Sequence, residues 1–384
     1  MTGPFRKLSQ FTKLKWRVKP PGRRNVLLYF STGRDVVAPY FSSDEFQVLD
    51  LKENEINLPV LFSCIIARDI SAKNYARQFI LRAKPKLILT FIDNFPPFYQ
   101  LKNEFPDIKT LLIQNGIRSH NNDLFGLLSN GYSDQKNAVD YMFVFGNAVG
   151  AKYREHISGN LIIHGSFKNN LFPKKVAKKS SIAYISTYRP NQSRSAILAE
   201  SNPGKPVTYN EIILRREQVV GWIAQYSANQ NMSLTIIGKD EDPKLEENYY
   251  RAFLGKYSFD FVAKEHSLTS YKAIDQSEMV VFTSSTLGYE SLARGNKTAA
   301  VILDAEIIGS DALKFGWPAE LESEGKFWTH QLSEKRLIEI LDYLKNVSDS
   351  DWNQTRSDVM KQVIEFDPGN SQFVKLIKSL KLSE

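Results

Sequence analysis

The 384-residue sequence predicts an α/β fold: two doubly wound domains facing a cleft. Three observations lead there. Short, uninterrupted apolar runs alternate with segments of helical spacing, which is what a parallel sheet covered on both faces requires. The alternation breaks at the polar stretch "PKKVAKKSS", residues 173–181, and then starts again. The length also exceeds what one core ordinarily serves, while 42% hydrophobic and 12% aromatic content suffices for two.

In the first half, Asn25–Phe30 ("NVLLYF"), Phe46–Leu51, Leu87–Ile92 ("LILTFI"), Ile108–Ile113, Tyr141–Phe145 and Leu161–Ile163 read as strands. Leu58–Ala83 and Phe98–Glu104 have helical spacing. In the second half, Ile182–Ser186, Leu234–Ile237, Met279–Thr283 and Thr298–Leu303 read as strands. Glu211–Ser227, Lys244–Leu254, Leu287–Ala293, Leu337–Leu344 and Phe373–Leu380 read as helices. The expected organisation is an arm at 1–24, an N-terminal domain at 25–172, a linker at 173–181, a C-terminal domain at 182–365 and a last helical segment at 366–384.

The formal charge of +8 is concentrated in the arm: Arg6, Lys7, Lys13, Lys15, Arg17, Lys19, Arg23 and Arg24 stand there without an acid, so the remaining residues sum to zero. Interleaved with Phe5, Leu8, Phe11, Leu14 and Trp16, these cations suit an anionic membrane surface, or simply a solvated tail. No basic recognition motif follows, so nucleic acid is not an expected partner. A single cysteine, Cys64, excludes an intramolecular disulfide and a cysteine zinc cluster. With no apolar signal core and no spanning stretch, the expected location is the cytoplasm, with the arm free to touch the inner membrane face.

In doubly wound sheets, ligands bind beyond the carboxyl ends of the strands, so those positions carry the functional reading. "TFIDNFPPFY" places Asp93 and Asn94 where a strand stops, and Asp93 is a candidate base or sugar-hydroxyl acceptor, or else an Asx turn or N-cap. "LLIQNGIRSHNN" offers the Gln114 and Asn115 amides, a Gly116 expected at positive φ and the planar cation Arg118, a set for orienting an acceptor or an acidic sugar. "IIHGSFKNN" places His164 as a candidate acid or base, or a satisfied structural imidazole.

In the second half, "YISTYRPN" sets Ser186, Thr187 and Arg189 after the first strand, suited to phosphate. "LTIIGKDEDP" ends a strand with Gly238, Lys239 and Asp240; Lys239 could meet a phosphate and Asp240 a reacting centre, or the segment is a plain turn. Asp240 and Asp242 spell Asp-x-Asp, but in so acidic a helix approach a metal is not expected. "VVFTSSTLGYESLARGN" turns a buried strand into a helix start bearing Ser284, Ser285 and Thr286. A helix N-terminus offers unpaired amides and partial positive charge to a phosphate. One hydroxyl suffices for a cap, and three in a row exceed that need. Glu290, one turn on, could accept ribose hydroxyls. The glycine fingerprints of dinucleotide and P-loop enzymes are missing, as are the Gly-x-Ser-x-Gly elbow and His-x-x-x-His zinc spacing. Catalysis without cofactor or metal is the expectation.

Together, "FIDNFPPFYQLKNEFPDIKTLLIQNGIR", "VDYMFVFGN", "HGSFKNN" and "FTSSTLGYESLARG" resemble bacterial surface-carbohydrate biosynthesis proteins, O-antigen and capsule among them, of the GT-B glycosyltransferase architecture, from about residue 24 onward. The resemblance implies two Rossmann-like domains: a C-terminal one for a nucleotide sugar, an N-terminal one for the glycan or lipid-linked acceptor, and a last helix, Phe373–Leu380, crossing back. It also implies a donor phosphate on the hydroxyl cluster, similar to enzymes of CMP-activated acidic sugars such as Kdo, although Gly238-Lys239-Asp240 replaces the His-Pro pair of sialyltransferases. The alternatives are a CDP-alditol phosphotransferase, a sugar-nucleotide epimerase of the same fold, or a non-catalytic nucleotide-sugar-binding assembly protein.

Overall fold

The computed structural model describes residues 15–51, 55–119, 123–131, 136–174, 178–201 and 204–382. The first half contributes β1 (Lys15–Arg17), β2 (Val26–Tyr29), β3 (Phe46–Leu49), β4 (Glu55–Asn57), β5 (Leu87–Thr90), β6 (Lys109–Ile113), β7 (Ala138–Val144) and β8 (Ser158–Ile163). Six of these form one all-parallel sheet in the order β3-β2-β5-β6-β7-β8.

The second half contributes β9 (Lys178–Ile185), β10 (Ile197–Ser201), β11 (Lys205–Thr208), β12 (Ser233–Ile237), β13 (Asp260–Val262), β14 (Ser277–Phe282), β15 (Lys297–Val301) and β16 (Trp328–Thr329). Its all-parallel sheet runs β13-β12-β9-β14-β15-β16, with β10 and β11 a separate antiparallel pair. The central strands are buried along their length, which is why they read as continuous apolar runs rather than alternating ones. Strand order reverses between β2 and β5 and between β9 and β14, so both sheets open a crevice at those carboxyl ends.

Three expectations change. Leu58–Ala83 is two helices, Leu58–Ile66 and Ala72–Ala83, because Arg68 takes a left-handed φ of 54° and the Ser71 hydroxyl, accepting from Asn74 N at 3.2 Å, caps a fresh start. The arm is in part folded: β1 pairs in parallel with β4, Arg17 meets Glu55 at 2.9 Å, and Arg24 N donates to Ala83 O. Residues 1–14 of the arm lie outside the described residues. β9 begins inside the stretch read as a linker, at Lys178.

The two halves are tied at several points. Arg294, fully buried, makes a bidentate pair with Asp275 at 2.9 and 2.5 Å and donates to the carbonyls of Asn169 and Phe172. Near residue 365 the chain returns to the first sheet, where Glu365 N donates to Phe145 O at 2.8 Å. Gly165 must be glycine at this crossing: its φ is 78°, and a Cβ would stand 2.0 Å from Glu365 O. The helix Ser371–Ser379 then packs on the first sheet, with Phe373 buried edge-on against Phe167 at 4.9 Å and Gln372 donating to Ile163 O.

Candidate functional site

The strand ends of the two sheets meet. Ile117 N, beyond β6, donates to Thr286 Oγ1 at 3.4 Å, and Ser166, beyond β8, donates to Glu290 Oε1 at 2.5 Å. Thr286 and Glu290 both belong to the helix Thr286–Ala293 that follows β14. Ser285 is its N-cap, extended at φ −164°, and its hydroxyl accepts from Leu287 N at 3.3 Å. Ser284, one residue before, is exposed.

At this junction lies a cavity of about 210 Å³. Asn115, Ser166 and Lys168 of the first half face Gly238, Lys239, Lys264, Tyr271, Ser285, Thr286 and Glu290 of the second across it. Lys168, Lys239 and Lys264 form no ion pair among the described residues. Lys239 is pulled below the ordinary lysine range, first by burial and then by Arg189 and Arg216, with Glu246 and Asp240 opposing. A cation held among cations is stabilised by an arriving anion.

The loop that presents Lys239 is braced from behind. Glu246, fully buried, accepts from the amides of Lys239 and Asp240 at 3.0 Å each and from the Ser186 hydroxyl. Gly238 permits this closeness, since a Cβ there would sit 2.6 Å from the Phe261 ring and 2.9 Å from Glu246 Oε2. Two further cavities adjoin. One of about 320 Å³ shares Ser285 and Thr286 and is also lined by Arg118, Ser284, Asp304, Lys314 and Trp317. One of about 330 Å³ shares Asn115, Ser166 and Lys168 and extends over residues 31–36.

Several residues expected in the cleft are engaged elsewhere. Asp93 has no exposed surface; Arg118 Nε and Nη2 reach its two oxygens at 2.5 and 2.7 Å, Tyr153 OH donates at 2.5 Å, and Tyr99 OH bonds its carbonyl. Those donors hold both carboxylate oxygens and leave no open face, so Asp93 does not stand free in the cleft as the sequence suggested. Arg118 is equally committed: burial alone would lower its pKa, but the Asp93 charge outweighs it and holds the guanidinium above its usual value. Gln114 has both ends of its amide in use, accepting from Phe145 N at 2.8 Å and donating to Gly116 O at 2.9 Å. Gly116 lies outside the positive-φ residues, contrary to the turn expected of it, and a Cβ would meet Thr286 Oγ1 at an ordinary 3.6 Å.

His164 is likewise enclosed. It has no exposed surface, its ring lies 4.9 Å from that of Phe143, and its Nε2 faces Asp367 Oδ2 at 3.6 Å. Burial drives its pKa down to about 4, against the pull of Asp367, so the ring is a neutral core group rather than a cleft acid or base. Asp240 lies just beyond the pocket wall and accepts from Asp242 N at 3.0 Å, while Asp242 caps the helix Pro243–Leu254. That pairing is a turn and a cap. Ser186 is buried against Glu246 and Tyr250 and lines none of the three cavities. Arg189 and Asn94 are exposed, and Asn94 borders none of the three cavities.

Glu290 does line the pocket, where burial raises its carboxyl pKa against the hydrogen bonds from Ser166 and Tyr271. Lys168, Lys264 and Tyr271 were missed in the sequence: Lys168 was hidden inside "HGSFKNN", and Lys264 follows a strand of only three residues. Among the described residues, no group of three or more His, Cys, Asp or Glu side chains could hold a metal ion.

Solved structures share this fold. A Listeria monocytogenes protein described as a "putative UDP-N-acetylglucosamine 2-epimerase" superposes with a TM-score of 0.54 at 13% identity, covering 93% of this chain and 96% of that one. Sucrose-phosphate synthase from Thermosynechococcus elongatus gives 0.52 at 13% identity over 94% and 100% of the two chains. The Neisseria meningitidis UDP-GlcNAc 2-epimerase bound to UDP-GlcNAc gives 0.52 at 12% identity over 94% and 100%. At such identities the likeness is one of fold, the GT-B architecture. No curated protein matches the chain in sequence. A family model described as "putative O-antigen biosynthesis protein" matches residues 111–381, well over half of the chain, and the chain belongs to that family.

Proposed function

We propose that this protein is a glycosyltransferase that moves a sugar from a nucleotide-sugar donor to a glycan or lipid-linked acceptor of O-antigen biosynthesis. The observation that carries this reading is the convergence of Lys168, Lys239 and Lys264, without an ion pair among the described residues, on the start of the helix Thr286–Ala293. The donor's phosphate rests there, with Ser284, Ser285 and Thr286 adding hydroxyls. As the glycosidic bond breaks, negative charge grows on the departing phosphate, and preorganised cations stabilise it without a metal.

The adjoining cavities accommodate the rest of the two substrates, since ~300–1,000 Å³ is usual for small-molecule sites. Exposed Asn115, at the boundary of two cavities, orients the acceptor. Proton transfer falls to Glu290, the carboxylate in the pocket wall, whose raised pKa suits a group that takes and returns a proton. Movement of the two halves against each other would close the cleft and limit hydrolysis of the donor. The working location is the cytoplasm, where nucleotide sugars are made, and the donor class extends to CMP-activated acidic sugars such as Kdo.

A thermal-shift screen with CMP, UDP, GDP and CDP identifies the base, since a bound ligand raises the melting temperature by mass action. Lys239→Ala should then weaken binding of the stabilising nucleotide by ~1.5–3 kcal/mol, the range for a hydrogen bond to a charged group. Unchanged affinity in Lys239→Ala and Lys168→Ala alike would remove phosphate from this pocket. Donor turnover without any acceptor would replace transfer with epimerisation or hydrolysis.

A further inference from the structure

Surface helices of folded domains turn their apolar stripe inward. Leu58–Ile66 has such a stripe, Val60 and Cys64, but carries a second one outward. Phe62 is 63% exposed, Ile65 55% and Ile66 69%, and Ile70, just past the helix, 74%. The spacing of three and four puts Phe62, Ile65 and Ile66 on one side of the helix, opposite Val60 and Cys64; Ile70 follows the left-handed break at Arg68. β4 leads directly into this helix, and its parallel pairing with β1 sets Trp16 opposite Ile56; Trp16 and Val18, the residue after β1, are 51% and 74% exposed. Among the described residues, eight of the fifteen large exposed hydrophobics fall between positions 16 and 81. A patch of that kind signals an interaction surface.

Its border is basic. Lys15, Lys19, Arg68 and Lys73 make no side-chain ion pair or hydrogen bond among the described residues, and the nearby acid Glu55 is already neutralised by Arg17. Asp69 accepts from Ser71 N. Beside β1 a cavity of about 370 Å³ is lined by Lys15, Arg17, Lys19 and Arg34, with Asp50 and Glu55 in its wall.

We propose that this face of the N-terminal half is an interfacial docking surface for an anionic lipid bilayer. Phe62, Ile65, Ile66 and Ile70 enter the boundary between headgroups and acyl chains, and the bordering cations lie at the level of the phosphates. Long lysine and arginine stems let the charges remain at the surface while the apolar residues sink. Charge distribution favours a membrane over a second copy of the chain, because a two-fold contact would press the same basic border against itself. The surface shares no residue with the pocket that holds the three lysines, so it stands whether or not the transferase reading does. It assigns the membrane contact to the folded helix surface rather than to residues 1–14.

Sedimentation of the full chain with vesicles tests it, using phosphatidylcholine alone or mixed with phosphatidylglycerol. The native chain should bind the mixed vesicles, more weakly as salt rises. Phe62→Ser with Ile66→Ser should weaken that binding by at least about tenfold. Arg68→Gln with Lys73→Gln should reduce mainly the preference for phosphatidylglycerol. Ile197→Ser with Leu214→Ser, exposed apolar residues elsewhere, should change nothing, and circular dichroism melts of all three pairs should match the native chain. Native-like vesicle binding by the Phe62/Ile66 variant overturns the proposal. So does failure of the native chain to bind, or a native dimer that the same two substitutions dissociate, which would give the face to a second copy.

Discussion

The polar residues that follow β5 and β6 and those that follow β12 and β13 look alike in sequence: carboxylates, amides and cations placed just after buried strands. In the folded chain they differ in whether their charges are already answered. Arg118 is closed onto Asp93 by two hydrogen bonds, with Tyr153 and Asp123 completing the group. Among the described residues Lys239 and Lys264 stand without an ion pair, and the pKa of Lys239 is lowered by burial and by neighbouring cations. Position at a strand end therefore nominates a residue for a site; an unanswered charge is what qualifies it. A satisfied buried pair stabilises or orients the scaffold, whereas an unsatisfied cationic pocket gains from an anion.

The sharpest way to break this comparison is to remove Arg118. Arg118→Ala leaves the Asp93 carboxylate fully buried with its strongest partner gone, and losing one partner of a buried pair costs ~3–5 kcal/mol. Urea unfolding should show that loss, and Asp93→Asn combined with Arg118→Met should recover much of it. If Arg118→Ala instead unfolded like the native chain and lost only substrate affinity, the pair would belong to the site and the contrast would collapse.

The next effect in size comes from His164. Its pKa is about 4 in the fold against an ordinary 6.5, with burial as the main cause. Between those values the unfolded chain binds a proton that the folded chain refuses. Stability is therefore complete above about pH 6.5, declines as pH falls towards 4 and levels off below, for a total of about 3 kcal/mol. His164→Asn should flatten that part of the stability curve between pH 6.5 and 4. An unaltered acid limb in the variant would mean that the imidazole is not the enclosed neutral group described above.

The same distinction explains how much was readable beforehand. The central buried strands announced themselves because a strand covered on both faces is apolar almost throughout, as Leu87–Thr90 and Val26–Tyr29 are, with Thr90 the polar exception and its hydroxyl bonded to Tyr29 O. β13 and β16, three and two residues long, carry too few side chains to show a period. The break at residues 67–71 was invisible because Arg68 has no intrinsic bias for a left-handed backbone and only Ser71 hints at a cap. In the site, "TSSTLG" was legible because caps and phosphates both use hydroxyls at helix starts. The closure of Arg118 on Asp93, 25 residues apart, and the bracing of residues 238–240 by Glu246 depend on contacts that no local pattern encodes. Lys168 and Lys264 looked like any surface lysine until the sheets brought them face to face.

Ser284 and Ser285 allow the finest cut, because adjacent residues divide the two roles that hydroxyls play at a helix start. Ser285 is the N-cap and already accepts from Leu287 N, so Ser285→Ala should lower global stability by ~1 kcal/mol even without a ligand. Ser284 is exposed, lines the adjoining cavity and has no capping hydrogen bond, so Ser284→Ala should leave the thermal midpoint of the free protein in place. With the stabilising nucleotide present, the Ser284 variant should show the smaller ligand-induced shift if its hydroxyl meets the phosphate. Equal shifts in the Ser284 variant and the native chain would confine the phosphate to the lysines and to the amides at the helix start, leaving Ser285 as a cap and nothing more.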